Sequence, residues 1–214
     1  MIKYILASGS PRRKELLDQI GLAFTVLVAH GEEVITKETP WEIVEELSYI
    51  KANAVTTEKA AAIATAFAET VEAEKTDDRA NNRIVIIGAD TIVAYGNEIM
   101  GKPKDREDAV RMLTLLQNNT HQVYTGVTLV ILDNGEKKTI SFYEKTDVTM
   151  YPMTTEQIAA YVSTGEPMDK AGAYAIQGKC AAYIKGINGD YNNVVGLPVA
   201  RFIHELIELQ FPFV

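Results

Sequence analysis

Residues 2–13 read IKYILASGSPRR, and this stretch decides the fold class. Ile2–Ala7 is a short apolar run of the kind that forms a buried strand. Ser10 then sits where a helix N-cap belongs, Pro11 fits the first helical position and Gly21 closes the helix. A strand that turns on two serines and a glycine straight into a helix opens an α/β unit. The arginines are the anomaly. A helix N-terminus carries partial positive charge and favours anions, so Arg12 and Arg13 cost stability there unless something negative binds between them. The turn's backbone N–H groups, the hydroxyls of Ser8 and Ser10 and two planar guanidinium forks together suit a phosphate. From this stretch alone the competing reading is a capped surface helix with solvated arginines.

Further along, residues 21–29, GLAFTVLVA, read as a second strand. Thr39–Glu42, TPWE, has the form of a capping box with proline at the first helical position. It opens an alanine-rich helix expected to run to about Glu74. Residues 74–82, EKTDDRANN, are polar and aperiodic and read as a solvated loop. Residues 83–90, RIVIIGAD, resume a buried strand, and residues 91–100, TIVAYGNEIM, form a hairpin turning near Gly96 and Asn97. Asp105 caps a helix through about Asn118. Residues 121–132 and 137–150 alternate in polarity around the turn DNGE, a second hairpin. Thr154 and Gln157 form another capping box for a helix ending near Gly165. Residues 165–178, GEPMDKAGAYAIQG, are glycine-rich and irregular; two short strands and a C-terminal helix from about Pro198 follow. This order predicts an α/β fold with a mixed sheet flanked by helices.

The chain has 214 residues, 47% of them hydrophobic, which is ample for one globular domain or two closely fused lobes. A formal net charge of -8 makes it a poor general binder of nucleic acid or of an anionic membrane surface. An anionic substrate must then be met by a local basic cluster or a metal. One cysteine, Cys180, excludes an internal disulfide and fits a reducing compartment. With no histidine near it in sequence, Cys180 reads as a small buried apolar residue and not a nucleophile. No run approaches the length of a membrane span, and the opening turns polar too quickly for a signal peptide. A cytoplasmic location is expected.

Asp90 follows the apolar run directly. An aspartate there is expensive to bury unless it is paired or bound to a metal, and ligands of α/β folds gather at strand ends. It reads as a metal ligand or general base, against the alternative of an Asx-turn cap. Residues 96–103, GNEIMGKP, nearly spell a phosphate-binding P-loop, but Pro103 stands where the magnesium-binding hydroxyl belongs and the glycines fall in a hairpin. That reading is rejected, although Lys102 can still reach a phosphate from its loop. Lys51 shares a helical stripe with Val44, Leu47, Ala54 and Val55, so it either snorkels to solvent or faces a cleft. Gln177 supplies an amide able to pair with a base edge. Asp169 and Lys170 suit a local ion pair, and Glu32 and Glu33 are possible metal partners beside the default of a solvated acidic turn. His30, His121 and His204 lack zinc spacing and take no role.

Taken together, LASGSPRRKELL, GADT, GKPKDREDAVRML, EPMDKAGAYAIQG and INGDYNNVVGLP resemble, in this order and over nearly the whole chain, the Maf proteins or septum-formation inhibitors. The resemblance implies an elongated mixed sheet with a central cleft, two closely fused lobes in one domain of residues 1–214, and kinship with the inosine triphosphate pyrophosphatase fold. It implies hydrolysis of a nucleoside triphosphate to monophosphate and pyrophosphate, a homodimer and dependence on a divalent cation, Mg or Mn, for which Asp90 and Glu33 are the ligands expected from the residues themselves. Asp90 would be the catalytic base, with Arg13, Lys51 and Lys102 neutralising the phosphates. Ser8, Ser10, Arg12, Thr91 and Gln177 would bind substrate, the last three setting base choice. DKAGAYAIQG is similar to the subgroup acting on dTTP and UTP. A Gln amide pairs with uracil or thymine, but a flipped amide suits cytosine, so the backbone around Gln177 must fix its orientation. The rival readings are a nucleotide-binding regulator of septum formation with little catalysis, and a purine or 7-methyl-GTP pyrophosphatase. The segment 64–82 is longer than the family's usual link at this point.

Overall fold

A computed structural model describes residues 2–29, 33–63, 65, 83–133 and 135–211. The predicted α/β class holds. Seven strands form one mixed sheet: β1 (Ile2–Leu6), β2 (Phe24–Val26), β3 (Arg83–Tyr95), β4 (Glu98–Met100), β5 (Thr120–Asp133), β6 (Glu136–Met150) and β7 (Ile184–Asn188). Their order is β2-β1-β3-β5-β6-β7, with β4 paired to β3. β1 runs parallel to both β2 and β3, in register Tyr4 to Phe24 and Tyr4 to Val85. The β3–β4 and β6–β7 pairs are antiparallel.

The chain divides into two compact units, Met1–Asp90 with Gly126–Tyr143, and Thr91–Thr125 with Glu144–Val214. β3, β5 and β6 each contribute residues to both. In the first unit, α1 (Pro11–Gln19) and α2 (Pro40–Glu58) flank the strands, and Ile5, Ala7, Ala52, Val55, Ile84, Ile86 and Val130 share a core cluster. In the second unit, α3 (Arg106–Leu116) buries Ala109, Met112, Leu113 and Leu116, the spacing of one helical face. They pack with Ile158 and Val162 of α4 (Thr155–Ser163). Three single 3-10 turns, β7, α5 (Tyr191–Val195) and α6 (Val199–Glu208) complete this unit.

The caps divide into those that form and those that do not. Asp105 accepts a hydrogen bond from the Asp108 N–H at 2.8 Å, and the Thr154–Gln157 capping box forms on both sides. Ser10 and Thr39 occupy N-cap positions in extended backbone without a side-chain capping bond. The expected box at Thr39 does not form; the Thr39 hydroxyl donates to the Glu42 carboxylate instead. The alanine-rich helix ends at Glu58, since Lys59 leaves helical geometry; helix resumes at residues 60–63. The rest of its expected course to Glu74 and the loop 74–82 lie outside the described residues. Two further expectations shrink. The second strand is confined to Phe24–Val26, and the region after residue 178 holds one strand, β7, because Lys179–Tyr183 winds into a 3-10 turn. The hairpin at Gly96 forms as read, pairing Tyr95 with Glu98.

Candidate active site

Gly88 places the chemistry of the first unit. A Cβ built there would lie 2.2 Å from the Ser48 carbonyl oxygen and 2.8 Å from the Ala52 backbone nitrogen. Only a residue without a side chain lets α2 lie this close against β3. Side chains two apart on a strand share a face, so Asp90 projects on the α2 side, one step beyond the contact. Lys51, on the turn between Ser48 and Ala52, meets it there. Nearby, Ser48 also shares a 2.8 Å hydrogen bond with Thr128 of β5, which fixes the same turn to the sheet.

The Lys51 ammonium forms an ion pair with Asp90 Oδ1 and lies 3.5 Å from Glu33 Oε1. Lys51 therefore does not snorkel to solvent. Asp90 is also not at a strand end: β3 continues to Tyr95, which removes the Asx-turn alternative. Its carboxylate is instead compensated laterally by the helix cation. Arg13 is 9% exposed, and its Nη1 donates to Ser8 Oγ at 3.0 Å. The same Ser8 oxygen accepts the Ser10 N–H at 3.3 Å. Burial pushes the Arg13 guanidinium below its usual value; the negative charge of Asp90 acts in the opposite sense, and neighbouring Arg12 adds to the lowering.

A divalent cation can be tested against these residues. Among the described residues no group of three histidine, cysteine or acidic side chains converges. Two carboxylates, Asp90 and Glu33, do converge, and a cation, Lys51, already stands between them. Magnesium is commonly held by one or two carboxylates with phosphate oxygens and water supplying the rest. The donor set fits that pattern and does not fit a zinc site.

The remaining candidates belong to the second unit. Thr91 Oγ1 lies 2.9 Å from Thr125 Oγ1, and Thr125 donates to the Asn193 carbonyl at 2.9 Å. Thr125 has one hydroxyl hydrogen and spends it on that carbonyl, so Thr91 donates to Thr125 and can only accept in any further contact. Lys102 is exposed on the loop after β4, and Gln177 is exposed in a turn closed by the Gly178 N–H to Ala175 carbonyl bond of 3.1 Å. Gly96 turns the β3–β4 hairpin and Gly101 follows β4, so these two glycines do not form a P-loop. Asp169 and Lys170 form their local ion pair. Cys180 is fully buried, and burial raises its thiol to about 12, so it is an inert core residue. Thr125, Asn193 and Ser48 escaped the sequence reading, since a mid-strand Thr has no local signature; the glycine two before Asp90 was a usable signal. His30 and Glu32 lie outside the described residues.

Residues 3–209 match the family model described as Maf-like protein. A dTTP/UTP pyrophosphatase of Agathobacter rectalis is 56% identical over 210 residues, covering 98% of each chain. Proteins of the same description from Lachnoclostridium phytofermentans and Bacillus cytotoxicus are 45% and 47% identical over 207 residues, covering 96% of this chain and 94% and 95% of theirs. Among solved structures, the Staphylococcus aureus Ham1 protein aligns over 97% of this chain and 99% of its own, with a TM-score of 0.43 and 13% identity.

Proposed function

The chain belongs to the Maf-like family, and from that premise we propose that it hydrolyses dTTP and UTP to the nucleoside monophosphate and pyrophosphate. Relatives that match it over nearly their full length carry that activity in their descriptions. The observation that carries the mechanism is Lys51 held between Asp90 and Glu33, with buried Arg13 in the electrostatic field of Asp90.

Hydrolysis joins a water oxygen to the α-phosphorus and breaks its bond to the bridging oxygen of pyrophosphate. Charge grows on the leaving group, so positioned cations matter most. Arg13 supplies a rigid fork for a phosphate, pre-set by Ser8; Arg12, Lys102 and the N–H groups near Ser10 add further donors. When a polyphosphate draws the Lys51 ammonium to itself, the Asp90 carboxylate is released from its partner and takes the proton of the attacking water. Glu33, with the Asp90 carboxylate oxygen not engaged with the water, would hold a magnesium or manganese ion, which when bound would neutralise phosphate charge.

Base choice is assigned to Arg12, Thr91 and Gln177. Uracil and thymine present two carbonyl acceptors around one N–H donor. Thr91, limited to accepting, suits a donor on the base or sugar, and the Gln177 amide can meet both kinds of group. Among the described residues no helix is long and apolar enough to cross a membrane. A cytoplasmic homodimer completes the reading; the single buried thiol suits a reducing compartment. Pyrophosphate release from dTTP, UTP, CTP, dATP, GTP, ITP and 7-methyl-GTP with Mg or Mn, beside Asp90→Asn, tests it. Turnover led by dTTP and UTP and lost in the variant is the expected result. Turnover led by a purine overturns the base assignment, and nucleotide binding without turnover overturns the enzyme.

A further inference from the structure

Glu166, at the start of the glycine-rich segment, takes no part in the chemistry above, yet it makes an unusual set of contacts. Its Oε1 accepts the Lys179 N–H at 3.0 Å and the Tyr161 hydroxyl at 2.9 Å, and its Oε2 lies 3.2 Å from the same Lys179 N–H. The Tyr161 oxygen in turn accepts the Ala175 N–H at 3.1 Å. One carboxylate and one phenol therefore hold the backbone at Ala175 and at Lys179, the two ends of the turn that carries Gln177. Gly178 makes room for this: a Cβ there would sit 2.2 Å from Glu166 Oε1. Its backbone, at φ -98° and ψ -154°, suits any residue, so what the missing side chain provides is room for the carboxylate: a Cβ would displace it. Tyr161 is 5% exposed, and burial raises the pKa of its hydroxyl, which keeps it a donor to Glu166. Glu166 is itself anchored, its carbonyl accepting from Lys170 Nζ at 3.0 Å.

We propose that Glu166 is a positioning residue for base selection: with Tyr161 it clamps the Ala175–Lys179 turn and so fixes which way the Gln177 amide faces. The proposal rests on the reading that Gln177 pairs with the base. Its physical content is that an amide free to flip accepts uracil and cytosine alike, whereas a turn held at both ends restricts the side chain it carries. The two N–H bonds to Glu166 and Tyr161 are the restraint, and the bond to the charged carboxylate is the stronger.

The test is the ratio of kcat/KM for UTP to that for CTP, measured with the full-length protein and its metal. Gln177→Ala is made first and is expected to lower the ratio. Glu166→Gln keeps the shape, removes the charge and is expected to lower it by about tenfold, the low end of what a bond to a charged group is worth. Gly178→Ala, which leaves the charge but displaces the carboxylate, is expected to act in the same direction and carries the test if Glu166→Gln fails to fold. In the Gln177→Ala background, Glu166→Gln is expected to leave the ratio where it is, because a positioning residue has nothing left to position. A ratio unchanged by both Glu166→Gln and Gly178→Ala, or one lowered equally with and without Gln177, overturns the proposal. An unchanged ratio in Gln177→Ala alone removes the base reading, and the proposal falls with it; that failure is separate because Glu166 was not yet altered.

Discussion

Lys51 and Asp90, 39 positions apart on a helix and a strand, form an ion pair because Gly88 lets one backbone rest on the other. The pair is a consequence of backbone proximity more than of mutual attraction. Gly88→Ala must push α2 off β3, since the new methyl would meet the Ser48 carbonyl and no flexible side chain stands there to give way. A loss of about 1–3 kcal/mol in chemical denaturation is expected, with turnover falling further than stability. A variant of native stability and activity would show that α2 is not seated as described.

Asp90→Asn keeps the shape of the side chain and removes its charge and basicity. Turnover should fall by at least about 100-fold, while the melting temperature holds, since Lys51 can turn to solvent. Retained turnover would assign the proton to another group.

Arg13 is held by Ser8 in a geometry that a lysine cannot copy. Arg13→Lys and Arg13→Ala should both lower kcat/KM for UTP, the alanine variant by about 10- to 100-fold. Near-native kinetics in a folded alanine variant would leave the anion to Arg12 and the turn backbone.

Glu33 is the more exposed carboxylate of the pair facing Lys51. Chelation with EDTA should abolish pyrophosphate release and Mg or Mn restore it. Glu33→Gln should raise the metal concentration needed for half-maximal rate. Full activity in EDTA would remove the metal from the proposal.

His121 is fully buried against Tyr174, its Nε2 2.8 Å from the phenol oxygen. Its Nδ1 has no hydrogen-bond partner among the described residues. Burial lowers its pKa to about 4, with the charge of Asp147 working in the opposite sense. The unfolded chain, whose histidine titrates near 6.5, therefore binds a proton first as pH falls. Folding stability from this residue is complete above about pH 6.5, declines towards pH 4 and is then lost, by about 3 kcal/mol in all. Denaturation at pH 7 and pH 4.5 measures the slope. His121→Phe should flatten it by most of that amount, about 2 kcal/mol over this range, and an identical slope in the variant would refute the assignment.

Much of this was legible in the sequence for reasons that can be named. Periodicity and punctuation located β1, α1, the Gly96 hairpin and α3, because each combines a clear apolar period with a turn or cap residue. Lys51 and Asp90 stand out separately as charges in apolar surroundings, and Glu33 as a possible metal partner in an acidic turn. Their meeting was not legible, because it depends on a close approach set by a residue with no side chain. Thr39 shows the converse limit: the capping-box spacing is present, but the two side chains bond to each other and leave the backbone alone. Thr125 and Asn193 have no local pattern, since their roles come from strands brought together by the fold.

Three residues beyond Glu33, the chain is tied to α2. Glu46, on α2, receives the Thr36 N–H at 2.8 Å and the Lys37 N–H at 3.3 Å, and the Thr36 hydroxyl as well. Hydrogen bonding from Thr36 keeps that carboxyl below its ordinary range, so the tether remains ionised at neutral pH. The conformational entropy of ordering this stretch is thus surrendered when the chain folds, not when nucleotide arrives. The ligand's binding energy is left available for the phosphates it has come to lose.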